Sequence, residues 1–87
     1  MHTLLVVYET ADPAHEEALR RFVEGFDAMR FSPDSYAVET DLEADEVFRR
    51  IQPLLGRDDI AYVFTLGDRW MGYGYQAMND WLHRNLH

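Results

Sequence analysis

The chain contains no cysteine and no lysine among its 87 residues. The absence of cysteine excludes a disulfide framework, a thiolate zinc site and a cysteine nucleophile. The absence of lysine excludes Schiff-base chemistry and the lysine of a P-loop. All eight basic residues are therefore arginine, against sixteen acidic residues, and the net charge is −8. A chain this acidic is not attracted as a whole to nucleic acid or to an anionic membrane.

Long apolar runs are also missing. The apolar start of the chain, Leu4 to Tyr8, stops at Glu9 and is too short for the apolar region of a signal peptide or for a membrane span. We therefore expect a cytoplasmic protein. The composition, 47% hydrophobic and 28% charged, is that of a folded chain. Its length predicts one domain, residues 1–87, which is small enough for a partner chain to add to its stability.

The first quarter of the chain predicts a strand followed by a helix. Residues 3–8 are apolar and rich in β-branched side chains, which is typical of a central strand. Asp12-Pro13 predicts an N-cap and a first helical residue, and apolar residues then recur at helical spacing. We expect Gly25 to end this helix near Glu24 in a left-handed cap. The alternative is a helix that continues to Met29 with Gly25 closely packed inside it.

Two short strands and a second helix are predicted next. The pieces 29–31 and 35–40 are separated by turn-forming residues, which indicates a hairpin. Thr40 and Glu43 have the spacing of a capping box at the start of an amphipathic helix. Pro53 is expected to distort the last turn of that helix before Gly56 ends it.

The last elements complete the predicted fold. Residues 60–66 read as an apolar strand, and residues 75–86 as a closing helix. The order β-α-β-β-α-β plus a C-terminal helix predicts an α+β, ferredoxin-like sandwich with two helices on one face of the sheet. Because both faces of the first strand are apolar, the other sheet face should be covered by the last helix or by a second copy. We expect a homodimer.

Glu9 is a candidate metal ligand and catalytic residue. It ends the first strand, which would fix the position of its carboxylate, and a nearby twofold axis would supply a second copy for Mg²⁺. The alternative, an ordinary charge at the end of a strand, has the higher prior.

The arginines are divided between two interpretations. Arginine binds phosphate in a bidentate manner, so Arg30 is a candidate phosphate contact. The pairs Arg20-Arg21 and Arg49-Arg50 lie three or four residues from acidic side chains, and for these we favour local ion pairs on helices. Residues 34–46 carry acidic side chains and no basic ones, which predicts a solvated acidic surface that repels nucleic acid.

The segment 69–75 interleaves aromatic residues with glycine and one arginine. Such a segment can stack on bases or hold a peptide. We favour a packing role in the core or at an interface for Trp70, Tyr73 and Trp81. His83 and His87 have the helical spacing of two metal ligands, but no third ligand lies near them in the sequence.

Several short motifs together resemble the SinR-like family. They are Val7-Tyr8-Glu9, Ser35-Tyr36-Ala37-Val38-Glu39-Thr40-Asp41-Leu42, Asp58-Asp59-Ile60-Ala61-Tyr62-Val63, and Trp70 with Asp80-Trp81-Leu82. That family is related to the small ferredoxin-like subunit of the CRISPR adaptation complex and to virulence-associated toxin ribonucleases. The resemblance implies a ferredoxin-like homodimer. In the CRISPR-type relatives an aspartate ends the first strand and is assigned to metal-dependent phosphodiester cleavage, and Glu9 is the residue that matches it here.

Two functions follow as hypotheses. The first is a dimeric interaction module without robust catalysis, in which the acidic surface recruits a basic protein partner and the segment around Trp70 anchors it. The alternative is a metal-dependent endonuclease of the toxin or CRISPR-adaptation type, acting on RNA or DNA. In that case Glu9 of each subunit would hold Mg²⁺ and Arg30 would contact phosphate.

Overall fold

The computed structural model describes residues 1–86 of the chain. Its elements are β1 (His2–Glu9), α1 (Pro13–Glu24), β2 (Asp27–Ser32), β3 (Ser35–Thr40), α2 (Ala44–Ile51), a 3₁₀ turn (Gln52–Leu54), β4 (Ile60–Thr65) and α3 (Gln76–Asn85). His87, with the predicted pairing to His83, lies outside the described residues.

The four strands form one antiparallel sheet in the order β2-β3-β1-β4. The strands β1 and β2 are joined through α1 and run parallel to each other, with β3 between them. The strands β3 and β4 are joined through α2 and also run parallel to each other, with β1 between them. This is the split βαβ arrangement of a ferredoxin-like α+β fold, so the predicted fold class is confirmed.

The main core lies between the sheet and the helices α1 and α2. Alternate residues of β1 point into it, so Leu4, Val6 and Tyr8 are buried. Both helices contribute to the same cluster, as does β3; the other fully buried members are Leu19, Val23, Tyr36, Val38, Val47 and Ile51. Each fully buried side chain of this size stabilises the fold by about 1.5–3 kcal/mol relative to exposure, before entropy is counted. We call this side of the sheet the helix face.

The predicted start and end of α1 are confirmed, but the predicted conformation of Gly25 is wrong. The Asp12 carboxylate accepts a hydrogen bond of 2.8 Å from the Ala14 amide, and the helix ends at Glu24. Gly25 has φ −72° and ψ −15°, which is right-handed rather than left-handed. The chain keeps helical geometry there because the Gly25 and Phe26 amides still bond to carbonyls of the last helical turn.

The hairpin is confirmed, with β2 beginning at Asp27 rather than at Met29. The predicted capping box of α2 is wrong. The Glu43 side chain makes no cap hydrogen bond, and the Thr40 hydroxyl instead accepts the Leu42 amide at 3.1 Å, closing a turn before the helix begins. The distortion predicted at Pro53 is present, because the α-helix ends at Ile51 and a 3₁₀ turn follows.

The other side of the sheet, which we call the open face, is covered only in part. The helix α3 packs there over β2 and β3, where the buried members of the cluster are Ala37, Trp81, Leu82 and Leu86. The side chains of Ile60, Tyr62 and Phe64 on β4 remain exposed on this face. None of the helices within residues 1–86 is long and apolar enough to span a membrane.

Candidate functional site

A groove on the open face lies between α3, the end of β4 and the aromatic segment 69–75. Its volume is about 330 Å³, which is at the lower end of the usual range for ligand pockets. Most of its lining is apolar, and its floor and walls include Leu5, Phe31, Leu66, Trp70, Met78 and Leu82. Arg69 and Asn79 add the polar groups. We call this cavity the Trp70 groove.

The three aromatic residues predicted at an interface have different roles. Trp70 is half-buried, lines the groove, and has its ring centroid 5.0 Å from that of His83. Tyr73 also lines the groove but is fully exposed, as is Met71. Trp81 is only 2% exposed and packs α3 onto the sheet, with its indole N–H 3.3 Å from the Asp27 carboxylate. Trp81 therefore holds the helix in place, whereas Trp70 and Tyr73 are available to a partner.

Glu9 is exposed at the end of β1 and faces the open side of the sheet. It is opposite Ile60 in the sheet register and lines a shallow depression with Asp58. Within residues 1–86 there is no group of three or more histidine and acidic side chains that could hold a metal ion. The donor set that this chain offers here is two exposed carboxylates. Mg²⁺ is commonly bound through one or two carboxylates together with substrate phosphates, so the chemistry of these donors fits it in part.

Arg30 and Glu9 are not brought together. Arg30 is opposite Tyr36 in the register, and the Tyr36 side chain is buried on the helix face, so Arg30 lies on the side of the sheet away from Glu9. Its guanidinium donates to the backbone carbonyls of Ser32 at 3.2 Å and Pro33 at 3.1 Å. It also lies 5.6 Å from the centroid of the Tyr36 ring. These two hydrogen bonds hold the guanidinium against the β2–β3 turn.

The ion pairs expected on the helices are confirmed for three arginines. Arg20 pairs with Glu16 and Glu24, Arg21 pairs with Glu17, and Arg49 pairs with Asp45. All of these pairs span four residues along α1 or α2, so these arginines do not form a separate basic surface.

A buried pair of tyrosines lies under α1, and the sequence pattern did not indicate it. The rings of Tyr8 and Tyr36 are stacked with centroids 6.3 Å apart, and the Tyr36 hydroxyl donates to the Glu24 carboxylate at 3.0 Å. Burial raises the pKa of both hydroxyls above the ordinary value for tyrosine. Both tyrosines therefore stay protonated and neutral, and they act as packing groups with one polar link to α1.

A second arrangement missed at the sequence level joins α1 to the loop before β4. His15 Nδ1 lies 2.8 Å from Asp59 Oδ2, and the same carboxylate accepts the Gly56 amide at 2.6 Å. A hydrogen bond from the Thr10 hydroxyl, followed by the Gly56 amide bond, holds the pKa of Asp59 below its ordinary value. We call these four residues the His15–Asp59 clamp.

The clamp does not have the geometry of a nucleophile–histidine–acid triad. In a triad the histidine lies between the hydroxyl and the carboxylate, so that it can take the hydroxyl proton. Here both ring nitrogens of His15 face carboxylates, with Nδ1 2.8 Å from Asp59 and Nε2 3.7 Å from Asp12, and neither faces a hydroxyl. The arrangement therefore fixes a loop and does not activate the Thr10 hydroxyl.

Comparison of the chain with models of known families and with curated proteins gave no match. The candidate sites are thus defined by geometry: the Trp70 groove, the exposed carboxylates at Glu9 and Asp58, and the apolar side chains that β4 exposes on the open face.

Proposed function

We propose that the chain is a homodimeric interaction module that recruits a basic protein partner through the Trp70 groove. The observation that carries this proposal is the groove itself, an apolar cavity beside exposed Met71 and Tyr73. Large apolar and aromatic side chains that are already exposed at the mouth of a cavity are typical anchors of protein interfaces. The partner would place an apolar side chain against Trp70.

The charge of the chain indicates the chemistry of that partner. The net charge of −8 favours encounter with a basic surface and opposes encounter with nucleic acid. The arginines of α1 and α2 that already pair with neighbouring acids do little to offset this preference, and Arg69 is the charged residue in the groove lining itself. The resemblance to the SinR-like family supports the homodimer and the absence of robust catalysis.

The test is a selection from a displayed peptide library in which one large apolar residue is flanked by lysine and arginine. We expect wild-type protein to enrich binders whose affinity falls as salt is raised. The Trp70→Ala change should weaken them by about 30-fold, the effect of losing roughly 2 kcal/mol at an interface hot spot.

The matched control is Tyr75→Ala, since Tyr75 is exposed in the same segment but does not line the groove. This variant should bind within about twofold of wild type, as peripheral interface positions usually do. Failure to enrich any binder, or equal binding by the Trp70→Ala variant, would contradict recruitment through the groove.

A second candidate function is a metal-dependent endonuclease, and the exposure of Glu9 on the open face favours it. A twofold axis through that face would bring Glu9 and Asp58 of two protomers toward each other, and these carboxylates would hold Mg²⁺. The metal would activate water and stabilise the leaving oxygen. The resemblance to the SinR-like family, which is related to CRISPR-adaptation and toxin proteins, supports the same idea, although a glutamate stands where the CRISPR-type relatives have aspartate.

The nuclease hypothesis is tested by incubating wild-type protein with RNA and DNA in the presence of Mg²⁺ or Mn²⁺. The hypothesis requires cleavage that depends on the metal and is lost in the Glu9→Ala variant. Glu17→Ala, which removes an exposed carboxylate from α1, is the control and should cleave as wild type does. Cleavage that survives Glu9→Ala would rule out this site as its source.

A further inference from the structure

The strand β4 has an unprotected outer edge. It lies at the end of the sheet and, within residues 1–86, pairs only with β1. Its register with β1 runs through six consecutive residue pairs without a bulge, and the strand Ile60–Thr65 contains neither a charged residue nor proline. Every second backbone N–H and C=O of β4 therefore points outward along a straight, uncharged edge.

The opposite edge of the sheet differs in each of these respects. The outer strand β2 carries Asp27 and Arg30, its register with β3 shifts between Arg30 and Ser32, and Pro33 follows directly. Charges, bulges and proline are the usual features that prevent an edge strand from pairing with another chain. The β2 edge of the sheet is thus protected from pairing with another strand, whereas the β4 edge is not.

The side chains of β4 make the open edge apolar as well. Ile60, Tyr62 and Phe64 are 45%, 56% and 51% exposed, and the rings of Tyr62 and Phe64 stack with centroids 6.3 Å apart. All three project from the open face, because they are opposite Glu9, Val7 and Leu5 of β1. A regular, apolar edge of this kind is a template for another strand.

We propose that β4 pairs antiparallel with β4 of a second copy, about a twofold axis at Tyr62, so that the two sheets form one continuous sheet. This deepens the homodimer of the proposed function and rests on it. In this register Tyr62 is opposite Tyr62 of the second copy, and Ile60 is opposite Phe64. Residues directly opposite share a face, so all six apolar side chains gather on the open side.

Charges at the ends of β4 complement this register. Arg57 precedes the strand and Asp68 follows it; both are exposed, and in the part of the chain that the structure describes neither forms an ion pair. Extending the antiparallel register places Arg57 of one copy opposite Gly67 of the other, next to Asp68. The twofold axis repeats this contact at both ends of the paired strands. A second copy of this chain therefore matches the edge in the apolar side chains of the strand and in the charges at its two ends.

The first experiment is sedimentation of wild type and of the Tyr62→Lys variant over a range of concentrations. Two lysines would be directly opposite at the axis, where like charges destabilise strand pairing, so we expect the variant to be monomeric at concentrations where wild type is dimeric. Tyr75→Lys is the matched control, because Tyr75 is exposed but lies off the strand and does not line the groove, and it should remain dimeric. Far-ultraviolet circular dichroism checks that each variant is folded.

The second experiment fixes the register. Since the natural chain has no cysteine, a single introduced cysteine can cross-link only two copies. Opposite residues of an antiparallel pair have Cα atoms about 4.5–5.5 Å apart, within disulfide range. Mild oxidation should therefore cross-link the Tyr62→Cys variant, but not Phe64→Cys alone. A mixture of Ile60→Cys and Phe64→Cys should form the mixed dimer.

The outcomes separate this inference from the proposal on which it rests. A wild-type chain that is monomeric would contradict both the pairing and the homodimer, while the peptide selection still tests the groove. A dimer that persists in Tyr62→Lys, or cross-linking of Phe64→Cys in preference to Tyr62→Cys, would overturn edge pairing and leave a homodimer formed in another way.

Discussion

The helix face of the sheet is closed by two helices and a continuous buried cluster, whereas the open face is closed by one helix over half of its width. On the helix face the side chains from β1, β3, α1 and α2 are almost fully buried. On the open face the cluster under α3 is separate and smaller, and Tyr62 and Phe64 of β4 remain in solvent. Apolar side chains on the helix face thus stabilise the fold, whereas those that β4 places on the open face remain available to a partner.

The largest expected effect contrasts a truncation on each face. Leu19→Ala removes a fully buried side chain beneath α1 and should lower the free energy of unfolding by about 2–5 kcal/mol. Phe64→Ser removes a larger side chain that is half exposed, and in dilute monomer it should cost less than about 1 kcal/mol. Urea unfolding at low protein concentration measures both. Equal losses would mean that the open face is also part of the stabilising core.

The features that set up the helix face were largely predictable, because they depend on neighbours in the sequence. The Asp12-Pro13 start of α1 and the turn at Pro33 are determined by local backbone chemistry. The capping box at Thr40 shows the limit of this reasoning. Thr40 and Glu43 have the spacing of a capping box. The Thr40 hydroxyl instead accepts the Leu42 amide and closes a turn before α2 begins, so the same residues form a different local structure.

The features of the open face depend on contacts that are distant in the sequence. The sequence indicated an aromatic segment, but only the position of α3 makes a groove beside Trp70 and a buried anchor of Trp81. Glu9 and Arg30 were both candidates, yet only the strand register places them on opposite faces. The His15–Asp59 contact joins residues 44 apart, and no local pattern predicts such a pair.

A smaller effect tests how tightly the helix face is closed at the His15–Asp59 clamp. A β-carbon added at Gly56 would meet the His15 ring, with Nδ1 at 2.8 Å, so Gly56→Ala should cost about 1–3 kcal/mol. The penalty should fall sharply in a His15→Ala background, which a double-mutant cycle measures. Gly67→Ala is the control, since nothing lies within 4 Å of a β-carbon there. A penalty that is the same in both backgrounds would mean that the His15 ring is not what closes the site.

The smallest expected effect is a pH-dependent change in the free energy of unfolding at Asp59, and it tests whether the helix face is held by packing alone. Because hydrogen bonds to the Asp59 carboxylate lower its pKa in the folded state, its ionised form contributes stability above the unfolded-state pKa. That contribution is lost as the pH falls below about 4 and through the lower folded-state pKa. Asp59→Asn should therefore be less stable than wild type at neutral pH, and the difference should shrink as the pH falls. Urea unfolding of both proteins from about pH 7 to pH 2.5 measures this difference. If the difference stayed the same over that range, the ionised Asp59 carboxylate would not stabilise the fold, and the helix face would be closed by its apolar packing.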